Sequence, residues 1–249
     1  NVIVSKAIAM GDEFHQRNIA GSLLLLKELV PLITMLEMDT EEKQRVIKFL
    51  ADTDQFFLNV MMATGKSIVD YARKIQEGTI VTTMTRNGKD FGVRIAGMGD
   101  EWFTAPVNKP RGLYFTGYTE EDGNPDIGDS AITETVGVGA IVTVAAPAVT
   151  RFVGSGGGYD DALAITDRQN EIFVTNNPNW PIPNWNFKGA PCGIDARKVV
   201  ATGIAPLINT GIAHRIAGLG QVGAGTAEAP VACFEKAIVA FAKKLGIEA

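Results

Sequence analysis

The stretch "TIVTTMTRNGKDFGVRIAG", residues 79–97, decides the fold class, because the chain changes character there. It holds two runs rich in β-branched residues on either side of the dipeptide Asn87-Gly88. That dipeptide is a strong signal for a two-residue hairpin turn, since both turn positions favour a positive φ. The stretch therefore predicts an antiparallel β-hairpin.

The residues on either side of this hairpin predict an α+β fold. Before it, Asp39 is placed to begin a helix with Glu42 at the capping-box position, and residues 1–77 are expected to form a helical subdomain. After it, residues 78–249 are expected to form a mixed α/β region with β-hairpins and short strands. Long helices followed by hairpins fit this class better than regular βαβ alternation.

Three segments of the second region carry individual predictions. An apolar helix is expected from Ser130 to about Val149, although two glycines and a proline loosen it. The run "KVVATGI", residues 198–204, is strand-like because of its β-branched content. A last helix is expected from about Pro230 to Leu245.

Composition excludes several classes of function. The net charge of -5 argues against nucleic acid as a partner, because phosphate binding needs basic patches. No apolar run reaches the roughly 20 residues of a membrane span. Cys192 and Cys233 form no CxxC pair, and the sequence from Asn1 shows no signal peptide, so a cytoplasmic protein with free thiols is predicted. We expect the chain to be the C-terminal part of a longer protein.

The stretch "MGDEFHQRN", residues 10–18, places polar residues directly before the apolar run "IAGSLLLLKELVPLI", residues 19–33. Charged residues are rarely buried unless they are paired or functional. On a helix, Asp12, His15 and Asn18 share one face. This face favours a pocket or an interface over a solvated surface, and Asp12 and His15 are candidate catalytic residues.

A second polar cluster is "NPDIGDSAITET", residues 124–135, at the start of the predicted apolar helix. Helix capping explains one or two of its polar residues, and a binding site explains the remainder, so both interpretations stay open. The free N–H groups of a helix N-terminus suit a carboxylate or a phosphate. Asp129 is a candidate catalytic residue, and Asp126 and Ser130 are candidate substrate-binding residues.

Other candidates lie at turns and at strand ends, where rigid elements hold polar side chains in place. The candidate anion-binding residues of this kind are Arg86, Asn87, Arg197 and Asn209. The run "GLGQVGAG", residues 218–225, matches the dinucleotide-binding pattern, but too few residues follow it for the second strand of that fold. Gly220 and Gly223 are instead expected in a loop whose N–H groups meet an anion or another stretch of backbone.

His15 and His214 are the only histidines in the sequence. Because imidazole changes charge near neutral pH, both are candidate catalytic residues for proton transfer. HxH, HxxxH and HExxH spacings are missing, so neither a metal nor a cofactor is predicted. A hydrolase of a cyclic amide, with a metal held by both histidines and an acid, remains an alternative.

The longer motifs resemble one known family. The runs "MTRNGKDFGVRIAG", "NPDIGDSAITET", "FKGAPCGIDARKVV" and "GLGQVGAG" are similar to the YlbE/YahG family of bacterial proteins, and the resemblance covers nearly the whole chain. It implies an oligomeric carbamoyltransferase subunit that acts on a small anionic substrate beside an FdrA-like partner, itself related to succinyl-CoA synthetases. The implied reaction converts oxalurate and phosphate to oxamate and carbamoyl phosphate, in purine or allantoin catabolism.

The resemblance assigns no role to individual residues, so the candidates above rest on residue chemistry alone. A non-catalytic structural or regulatory subunit that holds the FdrA-like partner is the alternative to an enzymatic one.

Overall fold

Helices dominate the first 74 residues of the computed structural model, which describes residues 1–247. They are α1 (Val2–Ala9), α2 (Ile19–Met35), α3 (Thr40–Asp52), α4 (Phe56–Asp70) and a 3₁₀ turn at Tyr71–Lys74. Asp39 caps α3 as predicted, because its carboxylate accepts the N–H groups of Glu41 and Glu42. Within residues 1–247, no helix is both long and apolar enough to cross a membrane.

Antiparallel strands follow the helices and form three small sheets. In chain order they are β1 (Val81–Asn87), β2 (Asp90–Ile95), β3 (Phe103–Pro106), β4 (Arg111–Tyr114), β5 (Ile127–Gly128), β6 (Phe173–Ile182), β7 (Lys188–Ile194), β8 (Leu207–Ala213) and β9 (Gln221–Glu228). The sheet orders are β3-β2-β1-β5, β4-β9-β8 and β6-β7. The α+β class predicted from the sequence is confirmed.

The hairpin of residues 79–97 is confirmed as β1 and β2, but its turn differs in detail from the prediction. Gly88 has the positive φ, +83°, whereas Asn87 belongs to β1. The Asn87 side-chain oxygen accepts the N–H groups of Lys89 and Asp90, and these two hydrogen bonds stabilise the turn. Asn87 is therefore explained by turn formation.

The remaining helices are α5 (Ile132–Thr135), α6 (Ala148–Phe152), α7 (Tyr159–Asn170), α8 (Ala196–Thr202) and α9 (Val231–Lys244). The apolar helix predicted from Ser130 to Val149 is wrong. Gly137 and Gly139 have φ values of +95° and +66°, so the chain turns away after α5 and continues as a 3₁₀ segment, Gly139–Ala145. A Cβ at Gly137 would lie 1.7 Å from the Pro191 carbonyl oxygen, so this close backbone approach needs glycine.

The strand predicted at residues 198–204 is also wrong, because most of that run belongs to α8. Local signals override its β-branched content: the Asp195 carboxylate accepts the Arg197 N–H at the start of α8, and Gly203, with φ +68°, ends it. The predicted last helix is confirmed as α9.

One hydrophobic cluster joins the helical and β-rich parts of the chain. Within it α1 packs against β6, α4 and α5 pack against β1, and α9 packs against β2 and β3. The last helical turn before the sheets ends at Lys74 and β1 begins at Val81. The division at residue 77 into a helical subdomain and a mixed domain stays a prediction.

Candidate functional site

Residues 10–18 form a compact loop between α1 and α2, so the helical face predicted for Asp12, His15 and Asn18 is wrong. Gly11 and Phe14 have φ values of +93° and +72°, which an α-helix does not allow. The side chain of Glu13 replaces the missing helical hydrogen bonds. Its carboxylate accepts the N–H groups of His15, Gln16 and Arg17, so the loop wraps around a buried acid.

Asp12 stabilises the start of α2. Its Oδ2 accepts the Gly21 N–H at 2.7 Å, whereas the Asn18 amide at the N-cap position donates to the His15 carbonyl. Burial raises the pKa of Asp12, and the hydrogen bond from Gly21 opposes that rise. Helix capping therefore accounts for Oδ2 of Asp12, whereas its Oδ1 is buried without a hydrogen-bond partner among the described residues.

Glu13 is fully buried, and its carboxylate also contacts β8. Besides the three N–H groups of its own loop, it accepts a hydrogen bond from Asn209 Nδ2 at 3.2 Å. Burial raises the pKa of Glu13 to about 7, while His15 lowers it and the nearby Glu134 raises it. A proton is therefore held in this region near neutral pH.

Glu134 of α5 holds the imidazole of His15 from the other side. Its Oε1 and Oε2 lie 2.7 and 3.0 Å from His15 Nδ1. Oε1 also accepts the N–H groups of Ala140 and Asn209, and Oε2 accepts the Thr133 hydroxyl at 2.9 Å. Every oxygen of this buried carboxylate is hydrogen-bonded, which fixes its orientation.

Gly139 leaves room for this carboxylate. A Cβ at Gly139 would lie 2.2 Å from Glu134 Oε1, and the residue has a positive φ of +66°. Its N–H also donates to the Glu13 carbonyl oxygen at 2.6 Å. The glycine that breaks the predicted apolar helix thus lets the loop of residues 10–18 and α5 approach each other.

A buried ion pair continues the polar cluster from Asn209 to the next residue of β8. Arg86 Nε donates to Asp126 Oδ2 at 2.8 Å, and both side chains are almost wholly buried. The Thr210 hydroxyl donates to Asp126 Oδ1 at 2.8 Å and lies 3.2 Å from an Arg86 nitrogen. The third nitrogen of the Arg86 guanidinium donates to Ser130 Oγ and to the Gly128 carbonyl.

We call this set the buried network. Its members share mutual hydrogen bonds, and all except the half-buried Ser130 are buried: Glu13, His15, Arg86, Asp126, Ser130, Thr133, Glu134, Asn209 and Thr210. Five of the predicted site residues belong to it, and Asp12 lies beside it. The prediction did not select Glu13, Thr133, Glu134 or Thr210, although all four lie within or next to the polar stretches that it used.

The other predicted site residues lie outside the buried network. His214 Nδ1 accepts the Ile216 N–H at 2.8 Å, and Asp129 is exposed beside α5. The exposed Arg197 donates to Asp195 through two nitrogens, at 3.2 and 2.7 Å. Gly220 is in the β8–β9 turn, where its carbonyl accepts the His214 N–H.

Gly223 lies inside β9 between β4 and β8, and a Cβ there would meet the Leu113 carbonyl at 2.4 Å. The sequence predicts that residues 218–225 contact either an anion or another stretch of backbone. Gly223 contacts another stretch of backbone. Among the described residues, no three His, Cys, Asp or Glu side chains are grouped so that they could hold a metal ion.

Comparison with known proteins gives consistent matches. Residues 1–130 match the family model described as oxamate carbamoyltransferase subunit AllG. The chain is 55% identical over 245 residues to oxamate carbamoyltransferase subunit AllG of Escherichia coli (strain K12), which covers 98% of this chain and 58% of that protein. It is 43% identical over 246 residues to the uncharacterized protein YahG of the same strain, covering 99% of this chain and 52% of YahG.

A solved structure has the same fold. The crystal structure of a conserved protein of unknown function from Enterococcus faecalis V583 superposes with a TM-score of 0.93 at 43% identity. That match covers 97% of this chain and 57% of the other. The chain thus spans a little more than half the length of the curated relatives that it matches.

Proposed function

The chain belongs to the AllG family of oxamate carbamoyltransferase subunits, and from this premise we propose that it is a subunit of a carbamoyltransferase. The observation that carries the proposal is the 55% identity to the E. coli AllG subunit over 98% of this chain. The reaction that we propose is oxalurate plus phosphate giving oxamate and carbamoyl phosphate, as a step of purine or allantoin catabolism.

The buried network offers the kind of chemistry that this reaction needs. In carbamoyl transfer, a phosphate oxygen attacks the ureido carbonyl carbon and the bond to the oxamate nitrogen breaks. One proton has to leave the phosphate and one has to reach the departing nitrogen, so a group that can accept and donate a proton accelerates both steps. A histidine whose ring is held by the buried carboxylate of Glu134, and whose main-chain N–H is held by that of Glu13, is such a group.

An FdrA-like protein is the partner in this proposal, within an oligomeric complex. The relatives are longer than this chain, so the full-length protein is the species to test. We also propose that the enzyme is cytoplasmic. Cys192 and Cys233 support this location, because both are free thiols.

A non-catalytic subunit is the second candidate function, and one feature of the surface favours it. Several large apolar side chains on and just after α2 and on α3 are exposed, among them Leu32 at 60%, Met35 at 79% and Phe49 at 58%. Exposed apolar surface of this kind marks protein–protein contact sites. On this candidate function, α2 and α3 hold the FdrA-like partner, which performs the chemistry.

The test is phosphate-dependent breakdown of oxalurate, measured as carbamoyl phosphate formed. The full-length protein is assayed alone, then with its FdrA-like partner, and then without phosphate as a control. Phosphate-dependent turnover, by the protein alone or together with its FdrA-like partner, supports the proposed reaction. Absence of turnover in both, with each protein folded and the two forming a complex, contradicts it.

A further inference from the structure

We propose that His15 is the catalytic residue that transfers the proton, that its Nε2 is the working nitrogen, and that Glu134 and Glu13 are its positioning residues. This inference rests on the proposed function and names the atom that carries its proton.

Nδ1 is the held nitrogen. Both carboxylate oxygens of Glu134 lie within 3.0 Å of it, and an ionised carboxylate can only accept hydrogen bonds. Nδ1 therefore carries the hydrogen of the neutral ring, and the lone pair is on Nε2. The hydrogen bonds that Glu134 accepts from Ala140, Asn209 and Thr133 prevent the carboxylate from turning away.

Nε2 is the free nitrogen. In the part of the chain that the structure describes, it makes no hydrogen bond, since each polar contact of the ring is made by Nδ1. It is also not one of the polar atoms that the fold seals from solvent without a partner. The 5% of His15 that is exposed therefore includes this nitrogen, and it is the ring atom that the proposal brings into contact with the reactant.

The charges around the ring favour a proton on it during the reaction. The Glu134 carboxylate contacts the ring at Nδ1, and its negative charge stabilises the imidazolium that forms when Nε2 accepts a proton, whereas Glu13 accepts the main-chain N–H of His15 and so fixes the backbone of that residue. Two other charged groups nearby have partners of their own: Asp12 accepts the Gly21 N–H, and Arg86 pairs with Asp126.

The proposed step balances in atoms and charge. Monohydrogen phosphate gives its proton to Nε2 while its oxygen forms a bond to the ureido carbonyl carbon of oxalurate. The bond from that carbon to the oxamate nitrogen then breaks, and the imidazolium returns the same proton to this nitrogen. Oxamate and carbamoyl phosphate leave, and His15 is again neutral with its lone pair on Nε2.

The first experiment replaces the ring in the full-length protein assembled with its FdrA-like partner. We expect H15A to lower kcat by about 100- to 10,000-fold, and added imidazole to restore part of the lost turnover, because the free ring supplies the missing base. Turnover by H15A at the wild-type rate overturns the inference. Loss of turnover that imidazole does not restore, in a complex whose thermal unfolding is unchanged, also overturns it.

The second experiment tests the positioning role of Glu134. In E134Q the amide can donate to Nδ1, which moves the ring hydrogen to Nε2 and removes the base. We expect kcat to fall by about 100-fold or more while KM changes little. The matched control is E171Q at an exposed position outside the buried network, which we expect to keep the wild-type kcat. Equal kcat values for E134Q and E171Q would remove Glu134 from the mechanism.

A measurement on the wild-type protein covers the case in which H15A does not fold. In ¹⁵N-histidine spectra the structure predicts a hydrogen on Nδ1 of His15 and none on Nε2, with the reverse in E134Q. A hydrogen on Nε2 in the wild type would refute the assignment. These spectra do not depend on the substrate, so failure to turn over oxalurate rejects the proposed reaction and leaves the His15 arrangement to be judged separately.

Discussion

His15 and His214 both have little-exposed side chains, at 4% and 7%, but they differ in their acidic partners: His15 Nδ1 lies 2.7 Å from the fully buried Glu134, whereas His214 Nε2 lies 3.8 Å from the partly exposed Asp122. His15 contacts Glu134, which is 119 residues away. His214 lies in what we call the hairpin tip, residues 214–220 together with Tyr118 and Asp122, where Nδ1 accepts the N–H of Ile216, two residues on. The charged side chains of the buried network are shielded from water, whereas much of the hairpin tip is exposed. Interactions between charges are stronger away from solvent, so they are expected to be stronger in the buried network. Two histidines that are equal candidates in the sequence are therefore separated by the burial and the contact distance of their acidic partners.

The largest expected difference between the two regions concerns arginine. R86A leaves Asp126 buried without its cation, and we expect the free energy of unfolding to fall by about 3–5 kcal/mol. R215A, at the exposed hairpin tip, should change it by less than about 0.5 kcal/mol. Urea unfolding measures both. Equal losses of unfolding free energy would show that the Arg86–Asp126 pair does not contribute strongly to the stability of the fold.

The next difference is the sign of the pH dependence. The pKa of Glu13 is raised by burial from 4.5 to about 7, so between these pH values the native state holds a proton that the unfolded state releases. The free energy of unfolding should therefore fall as pH rises through this range, by about 3 kcal/mol in total. E13Q should flatten this part of the curve, and an unchanged slope would contradict the buried, protonated Glu13.

Asp122 at the hairpin tip gives the opposite sign. Its pKa is lowered, mainly because its carboxylate accepts the Thr119 N–H. It therefore adds stability above its unfolded pKa, and this contribution is lost as pH falls through its folded pKa. D122N should flatten only the acid side of the stability curve, and an effect above neutral pH would show that another group is responsible.

A smaller effect is expected at Thr210. T210V removes the hydroxyl that joins Asp126 to Arg86, and we expect a loss of about 1–3 kcal/mol, because two buried polar groups lose a partner. T210S keeps the hydroxyl and should retain most of that stability. If both variants unfold alike, the methyl packing and not the hydrogen bonds holds this position.

The smallest effect is expected from H214Q. The His214 side chain is only 7% exposed, but its Nδ1 accepts a single hydrogen bond, from Ile216, and its Nε2 lies 3.8 Å from the partly exposed Asp122, so the loss should be about 1 kcal/mol or less in the same urea assay. A loss as large as that of R86A would show that the hairpin tip is as tightly coupled to the fold as the buried network.

Part of the candidate site was predicted because polar stretches beside apolar runs are visible in the sequence. His15 and Asp126 are predicted in this way, and Asn209 is predicted from its place at a strand end. Glu13 and Glu134 were missed, since acids near a helix start are usually explained by capping and only their burial separates them from that role. Arg197 is predicted from its place before a strand-like run and His214 from its residue type, but the structure places the exposed Arg197 against Asp195 and His214 against Ile216 and Asp122, outside the buried network.

The sequence by itself determined the elements whose signals are local. The turn at Gly88, the cap at Asp39 and the last helix, α9, each depend on residues within a few positions of one another. Only the tertiary structure decided the path of residues 10–18 and the break after α5. In both places the backbone follows contacts between distant segments, Glu13 with Asn209 and Gly137 with Pro191, and such contacts have no periodicity that a sequence can show.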